Sequence, residues 1–81
     1  MGVPVTATEA DLMADLQELN HECHRLNRRM ELAALRQKFS SDVEEVNRAA
    51  ADEQRWLREL DRTMTRFRAV EGQLRQIRSE V

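Results

Sequence analysis

Apolar side chains recur through the second half of this chain at alternating intervals of three and four residues, and this spacing constrains the fold more than any other feature. One row lies seven residues apart, at Phe39, Val46, Leu60, Phe67, Leu74 and Val81, with Glu53 as the one polar exception. A second row fills the intervals, at Val43, Ala50, Leu57 and Met64. On a helix this spacing forms one stripe that is suited to lie against another helix. The pattern predicts an all-α coiled-coil protein.

The first half of the chain carries a stripe of its own. Its members are Leu12, Leu16, Leu19, Cys23, Leu26, Met30 and Ala33. The two stripes are out of step by one residue, with the slip near residues 32–42. A heptad supercoil must absorb such a slip by local distortion or by a break. Two architectures therefore remain open.

The predicted architecture is one long, nearly continuous coiled-coil helix over about residues 7–80. After Pro4 there is no proline, and the only later glycine is Gly72, so nothing forces the backbone out of a helix. A non-helical lead at 1–5 comes first, and heptad segments follow at 6–39 and 40–81. Capping boxes that begin at Thr6 or at Thr8 mark the start of the helix.

The alternative is an antiparallel helical hairpin that turns at 39–42. Ser40 and Ser41 compete with helical hydrogen bonding there, and Ser41 with Glu44 forms another capping box. The hairpin would set Leu19 near Leu60. Against it stands the absence of a glycine at the turn, because helix C-termini often need a left-handed residue.

The stripe must be covered by another helix, because a chain of 81 residues with 4% aromatic residues has little to build a core from. Glu53 would meet its own copy in a parallel homodimer, at a net cost, which favours hetero-oligomeric partners and gives Glu53 a role in selecting them. Val70 and Ile77 widen the stripe beyond a two-stranded seam. The predicted partner interface comprises Leu16, Leu19, Cys23, Leu26, Met30, Phe39, Val43, Val46, Glu53, Trp56, Leu57, Leu60, Met64, Phe67, Val70, Leu74 and Ile77.

The charge balance argues against a nucleic-acid partner. The net charge is −2, and we interpret the charges as interleaved and not segregated into blocks, which leaves no broad positive field to meet a phosphate backbone. The single Cys23 fits a reducing compartment, and no apolar run reaches the roughly 20 residues that span a bilayer. We expect a soluble, cytoplasmic protein.

Candidate chemistry is sparse. His21, Glu22, Cys23 and His24 are the only local group of metal-ligand types, but Cys23 points into the stripe, away from His24, so we predict no metal site. We also predict no catalytic residues and no cofactor, because no nucleophile with its base and no phosphate-binding loop is present. Gly2 fits the loose pattern for N-acylation, and membrane association is expected only if Gly2 is acylated.

The C-terminal helix resembles that of KxDL-type subunits, small helical proteins of lysosome-positioning and organelle-biogenesis complexes. The resemblance is carried by Leu57–Asp61, Arg66–Arg68, Gly72 and Leu74, but Leu57 stands where that motif has its lysine. It implies a non-enzymatic subunit of a multi-chain helical complex. Heptad sequences share composition, so the similarity assigns no family.

The sequence thus predicts a non-catalytic coiled-coil subunit or adaptor that assembles with other helices in a larger intracellular complex. One alternative is a self-associating homo-oligomeric spacer, and a further alternative is an N-acylated, membrane-tethered adaptor.

Overall fold

The protein folds as two long helices joined by a short turn. The computed structural model describes residues 8–79, with helix α1 at Glu9–Phe39 and helix α2 at Val43–Ser79. The all-α prediction is confirmed, and the hairpin alternative replaces the continuous helix. The predicted lead at 1–5, with Gly2, and the capping box at Thr6 lie outside the described residues, as does Val81.

Helix α1 begins at a capping box on Thr8. The Thr8 hydroxyl accepts a hydrogen bond from the backbone N–H of Asp11 at 3.1 Å, and the Thr8 backbone N–H donates to the Asp11 carboxylate at 3.2 Å. Two backbone donors that have no intrahelical partner are satisfied in this way. Thr8 is thus the cap in the part of the chain that the structure describes.

The turn between the helices needs no left-handed residue. Ser40 ends α1 with φ −78° and ψ 138°, an extended conformation, while its N–H still bonds to the Arg36 carbonyl. Across residues 8–79 every non-glycine φ is negative. The argument from the absent glycine was therefore wrong, because the chain leaves α1 through extended backbone that any residue adopts.

Helix α2 is capped by Asp42 instead of the predicted Ser41. The Asp42 carboxylate accepts from the N–H of Glu44 at 3.0 Å, and the Asp42 carbonyl accepts from the N–H of Val46 at 2.9 Å. The Ser40 hydroxyl in turn accepts from the Asp42 N–H at 3.2 Å. These local bonds satisfy backbone groups through the turn and define where α2 starts.

Cross-helix contacts fix an antiparallel register along the whole hairpin. Arg78 pairs with Glu9 at 3.1 Å at the open end, and Cys23 Sγ lies 3.6 Å from Met64 Sδ at mid-length. Leu19 shares a groove with Thr63 and Val70. The predicted pairing of Leu19 with Leu60 was wrong by roughly one heptad along α2.

The two helices differ in which of their rows of side chains form the seam between them. In α1 the row at Leu12, Leu19, Leu26 and Ala33 is at most 8% exposed, as its heptads predicted. In α2 the seam uses the row at Val46, Leu60, Phe67 and Leu74 together with the edge at Ala49, Trp56, Thr63, Val70 and Ile77, all of them buried or half-buried. The predicted second row of α2 is less covered by α1, since Val43 is exposed and Leu57 is 38% exposed.

Candidate helix-docking surface

One side of the hairpin, here called the charged face, covers the seam with ion pairs. Arg36 reaches across to Asp52 at 3.1 Å and to Glu45 at 3.6 Å. Carboxylates and arginines of both helices line the grooves on this side. Because all of these groups stay in contact with water, each pair adds little stability. Their stems nevertheless shield the buried row of α1.

Trp56 belongs to the charged face. Its ring is half-buried, and the guanidinium groups of Arg29 and Arg55 lie 4.6 Å and 5.0 Å from its centroid. Arg29 comes from α1 and Arg55 from α2, so the indole is held by cation–π contacts from both helices. The ring of this predicted interface residue is thus engaged within the chain.

The opposite side, here called the open face, leaves apolar residues half-covered. It is formed by six residues that lie seven apart within each helix: Leu16, Cys23 and Met30 of α1, and Ala50, Leu57 and Met64 of α2. Cys23 and Met64 touch across it, and Leu57 is exposed while the other five are half-buried. The same helices therefore bury one row under charged side chains and leave this second row open to solvent.

Glu53 finds its partner inside the hairpin. Its carboxylate accepts a hydrogen bond from the Gln37 side-chain amide at 2.6 Å, and both residues are half-buried. The same amide group lies 3.4 Å from the Ala33 carbonyl. The expectation of a foreign partner rested on the cost of burying Glu53 against a second copy of itself. That cost does not arise in this arrangement.

A second apolar area, here called the tip patch, lies beside the turn. It consists of Leu32, Leu35 and Phe39, which are 55%, 50% and 72% exposed. With Arg36, Ser40 and Glu45 they line one open groove. Sequence reasoning predicted Phe39 but missed Leu32 and Leu35, because the slip was treated as a discontinuity. The spacing of 32, 35 and 39 was the available signal for a second helical face.

The predicted interface residues separate into two groups. Phe39, Val43 and Leu57 are exposed. The others are buried or half-buried within the hairpin: Leu16, Leu19, Cys23, Leu26, Met30, Val46, Glu53, Trp56, Leu60, Met64, Phe67, Val70, Leu74 and Ile77. Much of the stripe that was predicted to need another chain thus contacts the other helix of the same chain, and its role toward a partner stays a prediction.

The charges are segregated along the helices, contrary to the interleaving that the sequence analysis assumed. Residues 9–22 contain five carboxylates and no lysine or arginine, whereas residues 25–38 contain five basic residues and one acid. Residues 42–53 contain five acids and one arginine, and residues 66–78 contain four arginines and one acid. Each helix runs from acidic to basic, so the antiparallel register sets opposite charges side by side.

Across residues 8–79, no three side chains of His, Cys, Asp or Glu are grouped so that they could hold a metal ion. Neither α1 nor α2 has a stretch that is long and apolar enough to cross a membrane.

The fold and surface define a class of protein, an antiparallel two-helix coiled coil with an open apolar side. Comparison of the chain with protein-family models, with curated proteins and with solved structures found no match.

Proposed function

We propose that this chain is a non-catalytic coiled-coil subunit or adaptor that assembles with other helices in a larger intracellular protein complex. The tip patch is the observation that carries the proposal. Three large apolar side chains at i, i+3 and i+7 form the kind of helical ridge that docks onto a neighbouring helix. On a hairpin this small, leaving all three at least half exposed needs a reason beyond folding.

The shape of the hairpin supports the proposal that the protein is not a catalyst. Two helices enclose a single layer of side chains between them, and the grooves along both sides open to solvent. A reaction site needs a concave, water-excluding pocket with convergent polar groups. A surface of helical ridges instead suits protein binding. We place the protein in the cytoplasm, which fits the free thiol of Cys23.

Copurification from the native source tests the proposal. The full chain carries a tag and is crosslinked in cells, alongside a Phe39→Ser variant. Phe39 is 72% exposed, so we expect its loss to leave the hairpin intact and to remove the largest side chain of the tip patch. Met13→Ser is the matched control, because Met13 is exposed at the opposite end of the molecule.

We expect defined helical partner chains with the wild type and with Met13→Ser, and their loss with Phe39→Ser. The same proteins recovered with all three forms would contradict docking at the tip patch. Recovery of the chain without any other protein would favour the alternative, a self-associating homo-oligomeric spacer. The further alternative, an N-acylated adaptor, depends on Gly2 and is tested by the mass of the native N-terminal peptide.

A further inference from the structure

We propose that a second copy of this chain covers the open face, forming a four-helix bundle in which both turns lie at the same end. This inference rests on the proposed function in assuming that the hairpin works by helix packing, and it identifies one partner as the chain itself. The tip patch stays free for another protein, because it borders the charged face.

The width of the apolar surface on α2 is the first argument. A two-stranded seam needs two apolar positions per heptad, whereas a helix in a bundle uses three. Helix α2 has the seam row that includes Leu60, the buried edge that includes Thr63, and a third row at Ala50, Leu57 and Met64. Within the hairpin Leu74 of the first row and Thr63 of the second are buried, whereas Leu57 of the third row is 38% exposed. A further layer of helices would cover this third row.

The size of the surface is the second argument. The hairpin measures 63 × 23 × 14 Å, so its broad side is large enough to contain a standard-size interface, which buries roughly 800 Å² per partner. The side chains there suit close packing, because the positions on α1 that flank the row of Leu16, Cys23 and Met30 on its outer side are filled by Asn20, Asn27 and Ala34. Such side chains let a second layer of helices approach.

The charge pattern points to a second copy as the occupant. A partner for this face must set acidic helix segments beside basic ones along its whole length, and the chain itself has that alternation. A two-fold axis along the hairpin lays α1 of one copy on α2 of the other at the same level. The acidic half of each α1 then lies on the basic half of an α2, which repeats the pairing within each hairpin.

The exposed residues at the rim of the open face select this orientation. With both turns at one end, the register that Cys23 and Met64 fix brings His24 within one helical turn of Asp61 of the second copy, and Glu31 within one turn of the uncharged Gln54. With the turns at opposite ends, full overlap brings Asp61 opposite its own copy. Like charges directly opposite each other are unfavourable, so the arrangement with the turns together is preferred.

Sedimentation equilibrium of the purified full chain tests the interface. We expect a dimer at micromolar concentration, and we expect Leu57→Glu to weaken it by about 100-fold or more, because each interface would bury two unpaired carboxylates. Leu32→Glu is the matched control. It places the same group on an exposed leucine of the tip patch, outside the open face, and should leave the dimer unchanged.

Circular dichroism of the same samples monitors folding. If Leu57→Glu loses its helix content, Met13→Glu replaces it, since Met13 is exposed on the same side near the start of α1, where a carboxylate is compatible with the helix. A wild-type monomer would overturn the proposal. So would a dimer that survives both Leu57→Glu and Met13→Glu, or one that Leu32→Glu dissociates.

Spin labels at the turn test the orientation. The label is placed on Ser41→Cys in a Cys23→Ser background, and pulsed electron resonance measures the distance between the two copies. Because Cys23 lies on the open face, sedimentation first verifies that this background still forms the dimer. We expect a distance well under half the 63 Å length of the hairpin, whereas opposed turns would give a distance close to that length. If the purified chain forms no dimer but still recovers partner chains in a way that depends on Phe39, this inference is rejected and the proposed function stands.

Discussion

Leu26→Ala is the substitution that best measures how much the intrachain seam stabilises the fold. Leu26 is 3% exposed and lies in the buried row of α1. Truncating a buried leucine costs about 2 to 5 kcal/mol, and the cost falls where neighbours can collapse into the space. A seam one layer thick relaxes readily, so we expect a loss of about 2 to 3 kcal/mol in the free energy of unfolding.

The assay is thermal unfolding followed by circular dichroism at one fixed chain concentration, because self-association would make the midpoint depend on concentration. For a domain of this size the loss corresponds to a drop of roughly 10 to 20 °C in Tm. The control is Leu32→Ala on the same helix, where the leucine is 55% exposed and the change should stay within about 0.5 kcal/mol. Equal losses at the two positions would refute the hairpin, since an unpaired helix exposes both leucines alike.

Four further substitutions test the turn and the charged face. Asp42→Ala should lower the free energy of unfolding by about 1 kcal/mol through loss of the α2 cap, while Ser41→Ala should leave urea unfolding unchanged; the reverse order would reassign the cap. Arg36→Ala removes two exposed ion pairs and should cost less than about 1 kcal/mol, with a smaller effect in high salt; a loss that salt leaves untouched would contradict a solvent-exposed pair. Arg29→Ala removes one cation–π contact and should cost about 0.5 to 1 kcal/mol, read from Trp56 fluorescence in urea; an unchanged midpoint would show that the indole does not need that contact.

The sequence was sufficient to predict an all-α protein and the buried row of α1, although the continuous helix was favoured over the hairpin. Leu12, Leu19 and Leu26 repeat at heptad spacing, and the structure buries all three. For α2 the sequence did not show which flank of the main row is buried, because apolar residues flank that row on both sides. The pattern favoured the side of Leu57, yet the hairpin buries the side of Ala49, since a partner helix at one fixed angle can cover only one flank.

The hairpin alternative predicted the position of the turn, but the sequence did not reveal its backbone conformation. The slip near residues 32–42 is where the structure ends α1, so the register mismatch is absorbed by breaking the helix. The missing glycine misled the choice between the two architectures. What decides the turn is a set of local bonds from Ser40 and Asp42 to the backbone, and spacing alone does not reveal such bonds. The hydrogen bond from Gln37 to Glu53 likewise depends on tertiary register.

The distance between the two ends of the chain tests the hairpin most directly. Spin labels on Ala10→Cys and Ser79→Cys, in a Cys23→Ser background diluted with unlabelled chain, report the intramolecular separation alone. Because Arg78 pairs with Glu9, we predict a separation of about one interhelical spacing, roughly 10 Å, plus the two label arms. A separation of about 100 Å, which a continuous helix would produce at 1.5 Å per residue, would contradict the account.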